Sequence, residues 1–412
     1  MKIGLNRTTG GILMLYLSSF VLSLGQGMIL PALPFLVSEL GISVAAAAQV
    51  ITAYALGRFL ALVPAGVLVD RIGARAAVIA TPILIAAAIL AVAAAPTYPA
   101  LLAAMLIAGG AEGIWNLSRE IAGVGMVRPD QRGRLMSGFM GSSAAGMALG
   151  SAVGGLLLEI ASFRAVLLLY GLLSLGVGAL SVFGRESVPA RAERAARSFG
   201  DGFRWRSMLN VPKLIEEIEP GLRRTFMVLV VATFVMTMYR MFVQAMVPLY
   251  AGSYLHFSPS QVGFLFSIMG AVLFAMIIPA GLIIDKLGRK WATVPSTALP
   301  ALAFVLMPFC DTFAQLAALF VLLGIANGTS LGSIAASTYD VLPAASRGRL
   351  QALRRTLAEI GGISGPLLGG MVAGASNPGV PFLVVAPILL LSALWIAFGA
   401  KETLVKVPRH TP

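Results

Sequence analysis

Long apolar segments separated by short polar stretches run through the whole sequence. Each segment has the roughly 20 mostly apolar residues that an α-helix needs to cross the hydrocarbon core of a membrane. Because lipid cannot hydrogen-bond an exposed backbone, helices are favoured over open strands. We therefore predict an all-α integral membrane protein with twelve spans, numbered 1 to 12 in chain order, at residues 11–37, 45–69, 76–95, 98–127, 135–160, 163–184, 225–252, 259–284, 291–310, 313–339, 350–376 and 380–399.

The composition excludes several classes of protein. The chain has 412 residues, of which 58% are hydrophobic and 11% are charged, whereas a soluble domain has about 25% charged residues. A soluble enzyme, a secreted disulfide scaffold and a disordered protein are therefore excluded. Cys310 is the only cysteine, and His256 and His410 are the only histidines. We therefore expect no intramolecular disulfide, no metal site and no cofactor.

The basic residues are distributed asymmetrically between the predicted loops. Of the 30 Lys and Arg residues, 24 lie at the termini or in one alternate set of loops, and the opposite loops hold only Arg164. This bias predicts a multi-pass protein of the cell (plasma or inner) membrane with both termini cytoplasmic. The net charge of +13 then faces anionic lipid headgroups, and we expect no binding of nucleic acid. Although Lys2 and Arg7 precede the first span, its apolar run is too long for a signal peptide, so we retain it as a span.

The two halves of the sequence repeat each other at a constant offset of 215 residues. Pro64–Arg75 recurs as Pro279–Lys290, and Arg132–Leu135 recurs as Arg347–Leu350. Such a repeat predicts two homologous bundles of six helices. The predicted units are residues 1–184, a charged cytoplasmic linker at 185–224 with one surface helix near 213–219, and residues 225–412.

The repeated loop resembles the G-x-L-x-D-R-x-G-R-R/K signature of the major facilitator superfamily, and the resemblance covers the whole chain. Two further motifs are similar to the drug:proton antiporter branch of that family. These are Leu24-Gly25 followed by Pro31-Ala32-Leu33-Pro34 in span 1, and a glycine ladder from Gly146 to Gly155 in span 5. The resemblance implies a transporter of two six-helix bundles that works by alternating access.

The signature loops are candidate gates. A carboxylate where a short loop joins two helices can accept helix amides and pair with basic loop residues. Such contacts can hold the cytoplasmic side shut in one conformation, and the alternative is a static structural role. The predicted gating residues are Gly66, Asp70, Arg71, Gly73 and Arg75 in the first copy and Asp285, Gly288 and Arg289 in the second.

Ionisable residues within the spans are the candidates for coupling, because charge at membrane depth is unfavourable and is usually functional. Glu112 in span 4 is the first candidate for proton carriage, since burial disfavours the charged form of a carboxyl group. The alternative is a structural ion pair between Glu112 and Arg58 of span 2. Glu359 in span 11 is the second candidate, and its alternative is an ion pair with Arg355, one helical turn earlier.

The resemblance also implies that spans 1, 4, 7 and 10 line a central cavity. The candidate substrate-binding residues are Gln26, Asn116, Arg240, Gln244 and Asn327. For the amides the alternative is hydrogen bonding between helices. Arg240 either binds an anionic group of the substrate or pairs with an acid across the cavity. Arg58, Arg119 and Arg355 are the predicted partners of buried charge.

The leading prediction is a secondary transporter for proton-coupled efflux of small amphipathic organic compounds. An organic-anion transporter and a transport-inactive receptor or scaffold are the alternatives. Away from their ends, the spans hold five arginines and three glutamates, an excess that favours neutral, zwitterionic or anionic substrates over cations. An enzyme is not expected, since no nucleotide-binding loop or nucleophile–base pair is present. The expected partners are a small-molecule substrate, protons and the lipid bilayer, and the expected state is a monomer.

Overall fold

A computed structural model of the chain describes residues 7–95, 97–128, 131–183, 211–286, 288–330, 333–343 and 346–402. All regular secondary structure in these ranges is helical. Eleven helices are long and apolar enough to cross a membrane, and a bent pair supplies a twelfth span. The predicted all-α membrane fold is therefore confirmed.

The first six spans follow the predicted segments closely. Span 1 is broken by a short 3-10 turn at Leu30–Ala32, where Pro31 and Pro34 remove two backbone donors. The helices are Arg7–Ile29 and Leu33–Leu40 in span 1, Val44–Ile72 in span 2, Ala74–Ala94 in span 3, Tyr98–Met126 in span 4, Arg132–Ile160 in span 5 and Phe163–Phe183 in span 6.

The last six spans are preceded by a short helix, Val211–Glu216, inside the predicted linker. Most of the linker lies outside the described residues. The helices are Pro220–Pro248 with a π-helical end at Leu249–Tyr254 in span 7, Pro259–Ala275 and Ile277–Lys286 in span 8, Arg289–Thr293 and Pro295–Leu306 in span 9, Phe313–Ser330 in span 10, Arg347–Ala375 in span 11 and Val380–Gly399 in span 12.

Span 8 differs from the prediction. Span 8 bends by 46° between its two helices. Pro279 follows this bend and leaves the carbonyl of Ala275 without a helical partner. The described part of span 10 comprises the helices Phe313–Ser330 and Ser333–Val341.

Glycines allow the spans within each half to pack at backbone distance. A Cβ on Gly150 of span 5 would lie 2.0 Å from the carbonyl oxygen of Leu24 in span 1. A Cβ on Gly365, the equivalent residue of span 11, would lie 2.2 Å from the carbonyl oxygen of Met238 in span 7. The 215-residue repeat therefore reappears as equivalent helix contacts, which small residues make possible.

The two halves meet along two pairs of spans, 5 with 8 and 2 with 11. A Cβ on Gly263 of span 8 would lie 2.1 Å from the carbonyl oxygen of Ser151 in span 5. Gly370 of span 11 packs in the same way on Ala45 and Ala48 of span 2.

These contacts cluster at one end of the bundle. We call the end with the loops at Gly73 and Gly288 the signature face, and the end with the loop at Gly41 the opposite face. Gly155 of span 5 packs on Pro259 at the opposite face. The part of span 8 nearest the signature face, Ile277–Lys286, packs instead on span 10 of its own half. The halves therefore approach most closely at the opposite face.

The glycine contacts predict a difference between two glycines of the same span. Gly150→Ala should destabilise the protein by about 1–3 kcal/mol, because the added methyl group has no room against Leu24. Gly141 has no neighbour within 4 Å of a Cβ position, so Gly141→Ala should be neutral or stabilising. Thermal unfolding of both variants in detergent tests this, and equal melting temperatures would contradict the packing argument.

Candidate functional site

A cavity of about 360 Å³ lies between the two halves near the middle of the spans. Residues from spans 1, 4 and 5 line one side, and residues from spans 7, 8 and 10 line the other. All six residues that the sequence placed at such a cavity are among the lining residues: Gln26, Glu112, Asn116, Arg240, Gln244 and Asn327.

Glu112 has only part of its hydrogen-bonding capacity used. Its Oε1 accepts a hydrogen bond of 3.1 Å from the amide of Asn116. Its Oε2 is buried and has no hydrogen-bond partner among the described residues. Gln26 lies beside the carboxyl group. A buried carboxylate with an unpaired oxygen is unfavourable, and a bound proton relieves that cost.

Arg119 is a buried cation held by neutral groups. Its Nη1 donates to Ser19 at 2.7 Å and to Ser143 at 3.5 Å, and its Nη2 donates to the side-chain oxygen of Asn116 at 3.0 Å. The guanidinium carbon lies 4.6 Å from the ring centres of both Trp115 and Phe139. Cation–π contacts and hydrogen bonds together hold this charge in place.

Arg240 reaches from span 7 to span 10. Its Nε donates to the side-chain oxygen of Asn327 at 3.0 Å, and its Nη2 donates to Ser330 at 2.8 Å. Among the described residues no carboxylate lies within ion-pair distance of Arg240. The structure therefore does not support an acid of the protein as its partner across the cavity.

The remaining amides of the cavity make weaker or more local contacts. Gln26 donates to the hydroxyl of Tyr54. The amide nitrogen of Gln244 lies 4.0 Å from the sulfur of Met147 in span 5. Asn116 and Asn327 each contact an arginine. Asn327 links span 10 to span 7, whereas the partners of Asn116 lie on its own span 4.

The ion pairs given as alternatives to proton carriage, Arg58 with Glu112 and Arg355 with Glu359, are not among those of the described structure. Arg58 pairs with Glu359 of span 11 at 2.9 Å rather than with Glu112. Arg355 pairs at 2.9 Å with Glu120 of span 4 instead of with Glu359. Both ion pairs join the first half of the chain to span 11. Arg355 and Glu359 lie one turn apart on span 11, but each pairs with a residue of the first half. Span 4 carries the partner of Arg355, and span 2 carries the partner of Glu359.

Glu359 and Glu112 therefore differ in whether an arginine neutralises the carboxylate. The Glu359 side chain is 14% exposed and forms an ion pair with Arg58. Glu112 has an amide as its hydrogen-bond partner. Of the two candidates for proton carriage, Glu112 is thus the one without an ion-pair partner in the described structure.

The signature loops are built around glycine. Gly73 has a φ of +83° and Gly288 a φ of +114°, values that residues with a side chain rarely adopt. In the second loop Arg289 forms an ion pair with Asp340. The carboxylate of Glu402 accepts hydrogen bonds from the backbone amides of Arg289 and Lys290 at 3.0 and 3.2 Å.

The other predicted gating residues have no contact of this kind in the described structure. Arg71 and Arg75 are exposed, and a Cβ on Gly66 would meet no atom within 4 Å. The side chains of Asp70 and Asp285 lie outside the described part of the structure, so the predicted contacts of these two carboxylates remain predictions.

Several residues of the site escaped the sequence reasoning. Ser330 lies three residues after Asn327 on one face of span 10, and this spacing is a usable signal. Glu120 was visible as a charge near the end of span 4. Asp340 and Glu402 carry no comparable signal, because their contacts join segments that are far apart in the sequence.

The ion pair between Arg58 and Glu359 should show measurable coupling. Removing either charge leaves the other partly buried and unpaired, whereas removing both does not. The variants Arg58→Gln and Glu359→Gln should therefore have non-additive effects, with a coupling energy of about 0.5–3 kcal/mol. Unfolding of the single and double variants in mixed micelles measures this coupling, and additive effects would argue against the pair.

Several curated relatives resemble part of the chain. Multidrug resistance protein MdtG of Yersinia enterocolitica is 28% identical over 133 residues, 32% of each chain. The tetracycline resistance protein of class H from Pasteurella multocida is 33% identical over 145 residues, 34% of this chain and 35% of the relative. The probable sulfoacetate transporter SauU of Cupriavidus necator is 28% identical over 152 residues, 37% of this chain and 35% of the relative. The matched segments thus span about a third of each relative's length.

The family comparison covers much more of the chain. The family model described as Major Facilitator Superfamily matches residues 15–244 and, a second time, residues 228–412. The two matches fall on the two halves that meet around the central cavity. The protein is a multi-pass membrane protein, and it belongs to the Major Facilitator Superfamily.

Proposed function

We propose that the protein is a secondary active transporter that couples the efflux of small amphipathic organic compounds to protons by alternating access. Its two halves, residues 1–184 and 225–412, rock about the central cavity, and the linker at 185–224 connects them. In this proposal the protein works as a monomer in the cell membrane, with both termini and the signature face on the cytoplasmic side.

The proposal rests on the carboxyl group of Glu112, which has no ion-pair partner among the described residues. This acid lines the cavity between the halves, and one of its oxygens is buried without a partner among the described residues. A carboxyl group in that setting can bind a proton when the cavity opens to one side and release it to the other. Glu359 is a weaker candidate, because Arg58 neutralises its charge.

The contacts between the halves support alternating access. The glycine contacts of span 5 with span 8, and of span 2 with span 11, lie at the opposite face. Such an arrangement fits a state in which substrate reaches the cavity from the signature face. The names of two relatives, a multidrug resistance protein and a tetracycline resistance protein, fit export of organic compounds.

The signature loops are the proposed gates of the cytoplasmic side. In the second loop, the contacts of Arg289 with Asp340 and of Glu402 with the helix amides join segments of the same half. In this proposal, opening of the cytoplasmic side leaves these contacts of the second loop intact. We propose that Asp70 and Asp285 make the contacts that change between states.

Transport driven by a pH gradient tests the proton assignment. In reconstituted vesicles, wild-type protein should move an amphipathic organic probe when a pH gradient is imposed. Glu112→Gln should abolish this gradient dependence, because an amide cannot bind and release a proton in the carboxyl group's range.

Glu39 is an exposed acid at the end of span 1, so Glu39→Gln is the matched control and should transport like wild type. Gradient-driven transport by Glu112→Gln at the wild-type rate would rule out the assignment. A scaffold without transport activity would move no probe under any gradient.

The gating proposal predicts a separation of rate from binding. Asp70→Asn should slow transport severalfold, since the gate loses a charged contact, while the affinity for the probe stays unchanged. Transport rates in vesicles and equilibrium binding in detergent measure the two quantities. An equal loss of both would place Asp70 in substrate binding or in folding rather than in gating.

A further inference from the structure

We propose that the substrate carries an acidic group, a carboxylate or a sulfonate, which binds to Arg240 on the side of the cavity formed by spans 7 and 10. This inference rests on the proposed transport function, because it concerns the ligand of the same cavity. It adds the charge of the substrate and the residues that recognise it.

Among the described residues, no carboxylate compensates the charge of Arg240. Its hydrogen-bond acceptors, Asn327 and Ser330, are both neutral. These acceptors use Nε and Nη2, and Nη1 is left for a ligand. A cation at membrane depth without a counter-ion is unfavourable. A planar guanidinium matches an acidic group with two oxygens, so a ligand of that kind supplies the missing charge.

Two neighbours of Arg240 have donors that the protein does not use fully. Gln244 lies one turn further along span 7 on the same face, and its amide contacts a sulfur atom, which is a weak acceptor. Tyr239 is 1% exposed, lines the cavity and lies close to Arg240 and Asn327, yet its hydroxyl makes no hydrogen bond of normal geometry. Buried polar groups normally have partners. Together with Arg240, the side chains of Gln244 and Tyr239 place hydrogen-bond donors around one region of the cavity, where they can bind the oxygens of a ligand.

Arg119 is less suited to the same role. Two of its nitrogens already bond to Ser19, Ser143 and Asn116. Aromatic rings cover the guanidinium at 4.6 Å. Its Nε has no hydrogen-bond partner among the described residues, but this atom is buried, so an acid of the substrate reaches Arg119 less readily than Arg240.

The rest of the cavity suits an apolar body. Met147, Met269 and Phe266 line it between the charged residues, and thioether and aromatic groups adapt to varied apolar shapes. The charged lining residues are Glu112, Arg119 and Arg240. One acid against two bases leaves a positive field in the cavity, which favours an anionic head group over a cationic one.

Four probes with one aromatic body and different head groups test the proposal. Naphthalene-2-carboxylate and naphthalene-2-sulfonate are acids, 2-naphthamide is neutral, and 2-naphthylmethylammonium is a cation. Isothermal titration of the purified full-length protein in detergent gives the affinities. We expect both acids to bind at least about 10-fold more tightly than the amide and the ammonium compound, as a charge-assisted hydrogen bond implies.

Arg240 variants locate the binding group. Arg240→Gln should weaken acid binding about 10-fold to 100-fold and leave amide binding unchanged. Arg240→Lys keeps the charge but loses the planar fork, so it should retain an intermediate affinity. Arg164→Gln removes an exposed arginine at the start of span 6, outside the cavity, and should bind all four probes like wild type.

Equal affinity of wild-type protein for the acids and the amide would overturn the proposal, even if Arg240→Gln fails to fold. Equal affinity of wild type and a folded Arg240→Gln variant for the acids would also overturn it.

The same experiments separate this inference from the proton assignment, because binding in detergent involves no gradient. Glu112→Gln should keep the preference for acids while losing gradient-driven transport. If the acid preference stands and Glu112→Gln transports like wild type, the anion site is upheld and the proton assignment fails. If the preference is absent and Glu112→Gln loses coupling, the anion site fails and the proton assignment stands.

Discussion

The unfavourable energy of charge in hydrocarbon is the constraint on which the interior of this protein depends. Most charged side chains within the spans offset this unfavourable energy by contacts with other side chains. Arg58 and Glu359 pair across the interface between the halves, and Arg119 is enclosed by hydroxyls, an amide and two aromatic rings. In the described structure, Glu112 has a buried oxygen without a partner and Arg240 has only two neutral acceptors, and both face the cavity. Their incomplete compensation is the reason why we propose them as functional residues.

The internal repeat explains why these two residues lie on opposite sides of the cavity. Glu112 and Asn327 are 215 residues apart and so occupy equivalent positions in spans 4 and 10. In the first half this position holds an acid, and in the second it holds an amide that accepts from Arg240. The two halves have kept one scaffold while placing opposite charges around a shared space. In our proposal the first half carries the proton and the second half recognises the substrate's acid.

The ability of sequence to predict this structure depended on whether a feature was local. Span positions followed from runs of apolar residues, and the cavity residues followed from helix numbering and the family resemblance. The bend before Pro279 was missed, because the equivalent Pro64 lies in the unbroken helix Val44–Ile72. The partners of Arg58 and Arg355 were also missed. Pairing across the midline depends on how two bundles dock, which neither helix periodicity nor spacing along one span reveals.

The central claim is that Glu112 exchanges a proton while Glu359 does not, since only the latter has an arginine partner. Infrared difference spectroscopy between acidic and neutral pH tests it most directly, because a protonated carboxyl group has a carbonyl stretching band that a carboxylate lacks. We expect a band from a buried carboxyl group that changes with pH in wild type, persists in Glu359→Gln and disappears in Glu112→Gln. A band that survives Glu112→Gln and disappears in Glu359→Gln would contradict the account.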